Sequence, residues 1–235
     1  MARGLHDRSV SALFARFGIS AAVLSLLAVW ERLKPMQDRG PRLRHWAVNL
    51  SLQALNAGLL ALGALAYPGL LLAAAYAAED AGFGLLAPLP WPVKAAAGFV
   101  ALDLVVYFQH RLLHTIPLLW PLHRLHHTEE TIDVTTGFRF HPAEIAVSLL
   151  VKGAAVVLLG VPFASVGAFE VLLNAFSLFA HANIALPGER LLRPLIVTPV
   201  YHLVHHSSVA AERDSNYAFQ LSCWDRLFGT YTEPR

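Results

Sequence analysis

Charge is scarce in this chain. Only 14% of its 235 residues are Asp, Glu, Lys or Arg, against 56% hydrophobic, and the mean hydropathy is +0.50. That balance excludes an ordinary soluble domain and places the chain in a membrane. Cysteine is scarcer still. Cys223 stands alone, which excludes an intrachain disulfide, a cysteine-based zinc finger and a cysteine-ligated iron–sulfur cluster. The net charge of +2 and the lack of a basic run interleaved with aromatics argue against nucleic acid as a partner. Neither H-E-x-x-H nor G-x-S-x-G occurs, and Ser207 and Ser208 have no Ser–His–Asp arrangement around them. Asp7, Arg8 and Arg16 precede the first apolar stretch, and no small-residue cleavage site follows. That stretch therefore reads as a retained span, not a signal peptide.

What the chain has instead is a series of apolar segments. Residues 10–30 and 46–66 are long enough for two transmembrane helices, and 93–109 for a third. The segment 68–78 is about half a crossing, so it reads as a half-helix or interfacial piece. Residues 144–160 and 163–180 form a helical hairpin joined at Gly160-Val161-Pro162, the first arm carrying Lys152. Otherwise the spans hold almost no ionisable residues. Arg32, Lys34, Arg39, Arg42 and Arg44 lie in the first loop, whereas 67–92 carries no Lys or Arg. The positive-inside rule then puts the first loop, and the far end of the third span, on the cytoplasmic side. The expectation is an all-α, multi-pass cell-membrane protein. Residues 1–92 would be anchoring helices and 93–235 the working region, in one integrated domain.

Histidine is the exception to the scarcity of polar groups. Ten of the twelve histidines fall between His110 and His206. Eight form three clusters: His110 and His114; His123, His126 and His127; His202, His205 and His206. His141 and His181 stand singly between them, while His6 and His45 are isolated surface residues. On a helix, residues three and four apart share a face, so each cluster can aim two or three imidazoles at a common point. Imidazole is the commonest protein ligand for transition metals. So many neutral but polar rings beside apolar helices are costly unless something ties them up.

Eight to ten imidazoles exceed the four ligands of one structural zinc and suit two ions with open positions. Iron fits a redox task there and zinc a hydrolytic one. A metal pair roofing greasy helices is placed to act on a lipid chain, whose inert C–H bonds require metal-activated O₂. Asp103, Glu129, Glu144, Asp214 and Asp225 are candidates to accept hydrogen bonds from ligand imidazoles, with Glu144 and Asp225 foremost. A histidine-rich metal-binding or transport protein without catalysis is the alternative. A transporter would place ligands at bilayer depth, whereas these clusters lie at span ends.

The order H-R-L-L-H, H-R-L-H-H-T, F-R-F-H-P-A-E, H-A-N-I, H-L-V-H-H-S and N-Y-A-F-Q-L-S-C-W-D-R-L-F-G-T-Y resembles the fatty acid hydroxylase superfamily. Within it the likeness is to bacterial sterol desaturase-like members, from about His110 to Tyr231. The resemblance implies an integral membrane enzyme with two non-haem irons, using O₂ to hydroxylate or desaturate sterols, fatty acyl chains, sphingolipids or carotenoids. It implies electrons from a separate donor protein, since no cytochrome or ferredoxin motif is present. It implies His110, His114, His123, His126, His127, His202, His205 and His206 as ligands, with His141 and His181 as the isolated family histidines. Some members carry an H-x-x-x-H pair before the last box; here Ser177 takes the partner position of His181. Either His141 supplies that ligand or one metal is less fully coordinated. The terminal W-D-R-L-F-G-T-Y is expected to pack Trp224, Leu227 and Phe228 under the site.

Overall fold

The computed structural model describes residues 2–38, 43–62 and 67–234. Residues 39–42 of the basic loop and 63–66 of the second expected span lie outside the described residues, as does the side chain of His6. The long helices are α1 (Ala2–Leu33), α2 (Leu43–Leu62), α3 (Tyr67–Asp80) and α4 (Trp91–Thr115). The short α5 (Trp120–His127) and a 3₁₀ turn (Val134–Phe138) follow, then the hairpin α6 (Pro142–Leu159) and α7 (Phe163–His181). Four short helices close the chain: α8 (Glu189–Leu192), α9 (Pro199–His205), α10 (Ala210–Arg213) and α11 (Cys223–Leu227). Among the described residues there is no β-strand, only isolated bridges pairing Pro35 with Ile184 and Ile196 with Leu221. Among them, α4, α6 and α7 are long and apolar enough to cross a membrane.

Local chemistry sets the ends of these helices. Proline occupies the first turn of α4, α5, α6 and α9, where its missing N–H costs nothing. Gly160 stops α6 in the left-handed conformation (φ 68°), and its N–H closes on the carbonyls of Val156 and Val157. A side chain is excluded there, since a Cβ would lie 2.3 Å from the Phe83 carbonyl oxygen. That close approach lets Leu85 and Leu86 donate N–H to the terminal carbonyls of Leu158 and Leu159, at 3.0 and 2.8 Å. The 83–86 loop and the 160–162 turn therefore cap one end of the bundle. His141 and His181 open and close the hairpin at the opposite end, with His110 and His114 at the C-terminal end of α4.

Between the ends the helices pack through small and apolar side chains, including Leu71, Leu72, Leu102, Val156 and Phe169. Phe99 meets Phe169 edge-on at 5.3 Å. Inside a bilayer such packing, with hydrogen bonds, holds helices together, because lipid is as apolar as leucine. The expected shortage of ionisable groups in the spans fails at Asp103, buried midway along α4, and again within the hairpin. Lys152 of α6 and Glu170 of α7, both buried, pair at 2.5 Å within the hairpin.

The first two helices are tied to the histidine end by polar contacts. Glu31, buried near the end of α1, accepts N–H from Val134 at 2.8 Å and from Asn183 at 2.5 Å. From α2, Trp46 donates Nε1–H to Asp133 and Asn49 donates to Thr135 Oγ1. Asn49 Oδ1 in turn accepts from Arg139.

Candidate metal centre

Nine of the ten expected histidines come together in two adjoining groups. His110, His114, His123, His127 and His205 form one; His126, His181, His202 and His206 form the other. Within each group one nitrogen per ring lies within 4.8 Å of all the others. The division follows helical geometry. In each H-x-x-H-H box the first and last residues are four apart and share a face, while the middle one is turned about 100° from its neighbour. His123 and His127 thus enter the five-histidine group and His126 the other. On α9 the roles reverse, His202 and His206 joining the four and His205 the five. Each triple box feeds two points, not the single common point expected from spacing.

Hydrogen bonds on the far ring nitrogen fix the orientation of most rings. His110 Nδ1–H donates to the Tyr217 carbonyl at 2.7 Å, His205 Nδ1–H to Ser215 at 2.7 Å, and His181 Nδ1–H to Ser177 at 2.5 Å. His126 Nδ1–H donates to the Arg139 carbonyl at 3.2 Å. Two rings use carboxylates: His123 donates to Glu144 Oε1 at 2.8 Å, and His114 to Asp214 Oδ1 at 3.3 Å. Each bond commits the ring's proton to Nδ1 and leaves Nε2 as a bare lone pair facing its group.

That arrangement fits metal ions. His110 Nε2 and His123 Nε2 are 3.0 Å apart, as are His126 Nε2 and His181 Nε2. Two lone pairs at that separation repel unless a cation lies between them. Nitrogens at ~2.1 Å from one ion and 3.0 Å from each other subtend roughly a right angle, an ordinary ligand angle. Among the described residues His114 Nε2, His205 Nε2 and the nitrogens of His127 are buried in the five-histidine group with no hydrogen-bond partner. Such orphans are rare in folded proteins and costly. Burial, and then repulsion among neighbouring rings, hold His126, His127, His202, His205 and His206 well below the usual imidazole range. They stay neutral, which is the form a metal requires. The groups touch directly, the rings of His127 and His206 stacking at 4.5 Å. Trp120 covers the outer side, its ring 5.0 Å from that of His114 and beneath the Arg213 guanidinium.

The remaining candidates are placed as follows. His141 joins neither group; its Nδ1 caps α6 by accepting the Ala143 N–H at 3.1 Å. Ser177 points its hydroxyl at the Gly137 carbonyl, 2.8 Å away, and offers only its own carbonyl to His181. Glycine is required at 137, because a Cβ there would lie 2.6 Å from that Ser177 oxygen. Asp225 has no bond to an imidazole among the described residues. It accepts N–H from Tyr217 and Ala218 and O–H from Tyr201 and Thr230, all at 2.6–2.8 Å. Burial pushes its carboxyl above the usual range, while those four donors oppose the shift. Asp225 therefore holds the strand of chain whose Tyr217 carbonyl orients His110. Asp103 accepts from Trp224 Nε1 at 2.8 Å, and Glu129 binds His45 at 2.9 Å. Phe228 stacks on Tyr107, but Leu227 is 68% exposed and does not pack under the site as expected. Glu31, which fastens α1 to this layer, carried no signal in the sequence, being one carboxylate after an apolar run.

A cavity of about 580 Å³ opens from the five-histidine group into the bundle. His110, His123 and Glu144 stand at one end, and α1, α2, α4, α6 and α7 wall it with Leu24, Leu50, Val106, Leu113 and Phe140 among others. Glu144 Oε2 lies there buried and without a partner among the described residues.

Comparison with known proteins agrees with this geometry. Over 152 residues the chain is 32% identical to ornithine lipid hydroxylase OlsE of Rhizobium tropici, covering 63% of this chain and 45% of that protein. It is 30% identical to human alkylglycerol monooxygenase over 145 residues, 61% of this chain and 32% of the other. A very-long-chain aldehyde decarbonylase of Oryza sativa subsp. indica is 31% identical over 148 residues, 61% of this chain and 55% of that protein. The matched part thus spans about a third to a half of these relatives. No solved structure matches. The fatty acid hydroxylase family profile matches residues 95–230, more than half of the chain and every histidine of both groups, so the chain belongs to the fatty acid hydroxylase family.

Proposed function

We propose that the protein is a membrane-bound non-haem di-iron oxidoreductase that uses O₂ to hydroxylate or desaturate a lipid entering the cavity. The observation that carries this reading is the pair of adjoining histidine groups, one of which opens onto that cavity. The relatives named as a lipid hydroxylase, a monooxygenase and an aldehyde decarbonylase support it. His110, His114, His123, His127 and His205 would hold one iron, and His126, His181, His202 and His206 the other. When bound, the irons would activate O₂ for attack on an unactivated C–H bond.

The chain's own residues do the rest. Leu24, Val106, Leu113 and Phe140 exclude water from the bound lipid and fix which carbon lies beside His110 and His123. Glu144 keeps the proton of His123 on Nδ1 through Oε1, and its second oxygen can accept a hydrogen bond from a group arriving in the cavity. A separate donor protein brings the electrons. The centre faces the cytoplasm, because the loop at its end of the bundle carries the basic residues that the 67–92 loop lacks. The charge bias predicts that a reporter fused after Arg235 reads as cytoplasmic and one at Gly82 as external; the reverse pattern would move the centre to the other face.

The activity is tested by expression in a host supplied with candidate lipids. Mass spectrometry should find a gain of one oxygen or a loss of two hydrogens, dependent on O₂ and iron. The His126→Ala/His205→Ala variant should insert in the membrane and form no product. Full activity in that variant would end the reading.

A further inference from the structure

The cavity is walled mainly by apolar side chains, but one stripe of its lining is polar. On α6, Glu144, Ser148 and Lys152 follow at four-residue spacing, and all three line it. Glu170 and Asn174 face it from α7 at the same spacing, and Ser20 of α1 donates to Asn174 Oδ1 at 2.6 Å. A polar stripe therefore descends from the histidines to the Lys152–Glu170 pair, about 12 Å along the helix from Glu144.

That pair is deeply buried. Lys152 and Glu170 are only 1% and 2% exposed. Burying two charges costs desolvation that their attraction barely repays, and apolar replacements are often neutral or stabilising. Ionisable side chains inside spans mark substrate sites and pathways. A saturated hydrocarbon in this cavity would lie against the stripe and offer it no hydrogen bond.

We infer that Lys152, Glu170, Ser148 and Asn174 form a subsite that hydrogen-bonds a neutral polar group of the lipid: an ester or amide carbonyl, or a hydroxyl. A neutral polar group suits it better than an ionic headgroup, because the paired cation and anion offer both a donor and an acceptor side by side. The substrate is thus a lipid whose polar group lies within about 12 Å of the oxidised carbon, not an isoprenoid or alkyl hydrocarbon. This rests on the proposed function only in taking the cavity as the lipid site.

The test uses the full, iron-loaded chain in nanodiscs, equilibrated with equal amounts of 1-oleoylglycerol and 1-octadecene. Retained probe is measured by gas chromatography–mass spectrometry and normalised to empty discs. The wild-type protein should favour the glycerolipid by about tenfold, the worth of a hydrogen bond to a charged partner. Lys152→Met/Glu170→Leu should retain both probes nearly equally, with unchanged metal content. Ser148→Ala/Asn174→Leu, which keeps the ion pair, should lose part of the preference and serves if the first variant does not fold. No preference in the wild type, or an undiminished preference in a folded variant, overturns the inference. Lipid oxidation is assayed on the same preparations. Selective binding without oxidation would refute the enzyme reading alone, and oxidation without selective binding would refute the subsite alone.

Discussion

The two histidine groups are built from the same ring but held differently. In the five-histidine group two rings rest on carboxylates, His123 on Glu144 and His114 on Asp214, and the group opens onto the cavity through His110 and His123. In the four-histidine group the oriented rings, His126 and His181, rest on backbone carbonyls of Arg139 and Ser177. No histidine of that group lines the large cavity. A carboxylate raises the basicity of its imidazole and can be tuned by substitution; a carbonyl is fixed by the path of the chain. The five-histidine group is thus the one that opens onto the cavity and the one whose rings a carboxylate substitution can tune. In the other, the two oriented rings are set by the path of the chain.

Glu144 offers the largest break in that comparison. Glu144→Gln keeps the shape but weakens the hold on the His123 proton. Turnover should fall ~10–100-fold while most of the metal remains. Product formation and metal content in the same preparation decide it, and wild-type turnover would show that the carboxylate is only packing. Asp225→Asn should act on the framework instead. One of its oxygens becomes an N–H₂ facing backbone and hydroxyl donors, at a cost of roughly 2–3 kcal/mol. Thermal unfolding in detergent should shift down and activity should fall with it; lost activity at full stability would return Asp225 to a direct role at the metals. Asp214→Asn should do least. Its bond to His114 is long, at 3.3 Å, and its side chain is 42% exposed, so a change of a few-fold or less in turnover is expected. An Asp214 effect as large as that of Glu144 would erase the distinction between the two carboxylates.

The sequence made some of this plain and hid the rest for physical reasons. The i, i+4 spacing of His110 with His114, and the apolar length of α4, α6 and α7, are local properties, and they translated directly into structure. The hairpin turn was legible because glycine and proline at 160 and 162 permit little else. The partition of the triple boxes required the relative placement of α5 and α9, which no single segment encodes. Carbonyl partners such as those of Tyr217 and Ser215 carry no side-chain signal at all. His141 looked like a ligand by order in the chain; the structure places it outside both groups, with its Nδ1 accepting the Ala143 N–H of the helix it begins. Glu170 escaped notice because one acid in an apolar run has no meaning until α7 folds back on Lys152.

The central claim is that two ions sit in two separable groups, and counting metal tests it most directly. Protein purified anaerobically from iron-sufficient cells should carry about two metal ions per chain, one for each group. His110→Ala/His114→Ala removes two rings from the five-histidine group, and His202→Ala/His206→Ala removes two from the four. Each variant should retain about one ion, measured by inductively coupled plasma mass spectrometry against protein concentration. A wild-type protein with a single ion, or either variant still holding two, would contradict the account.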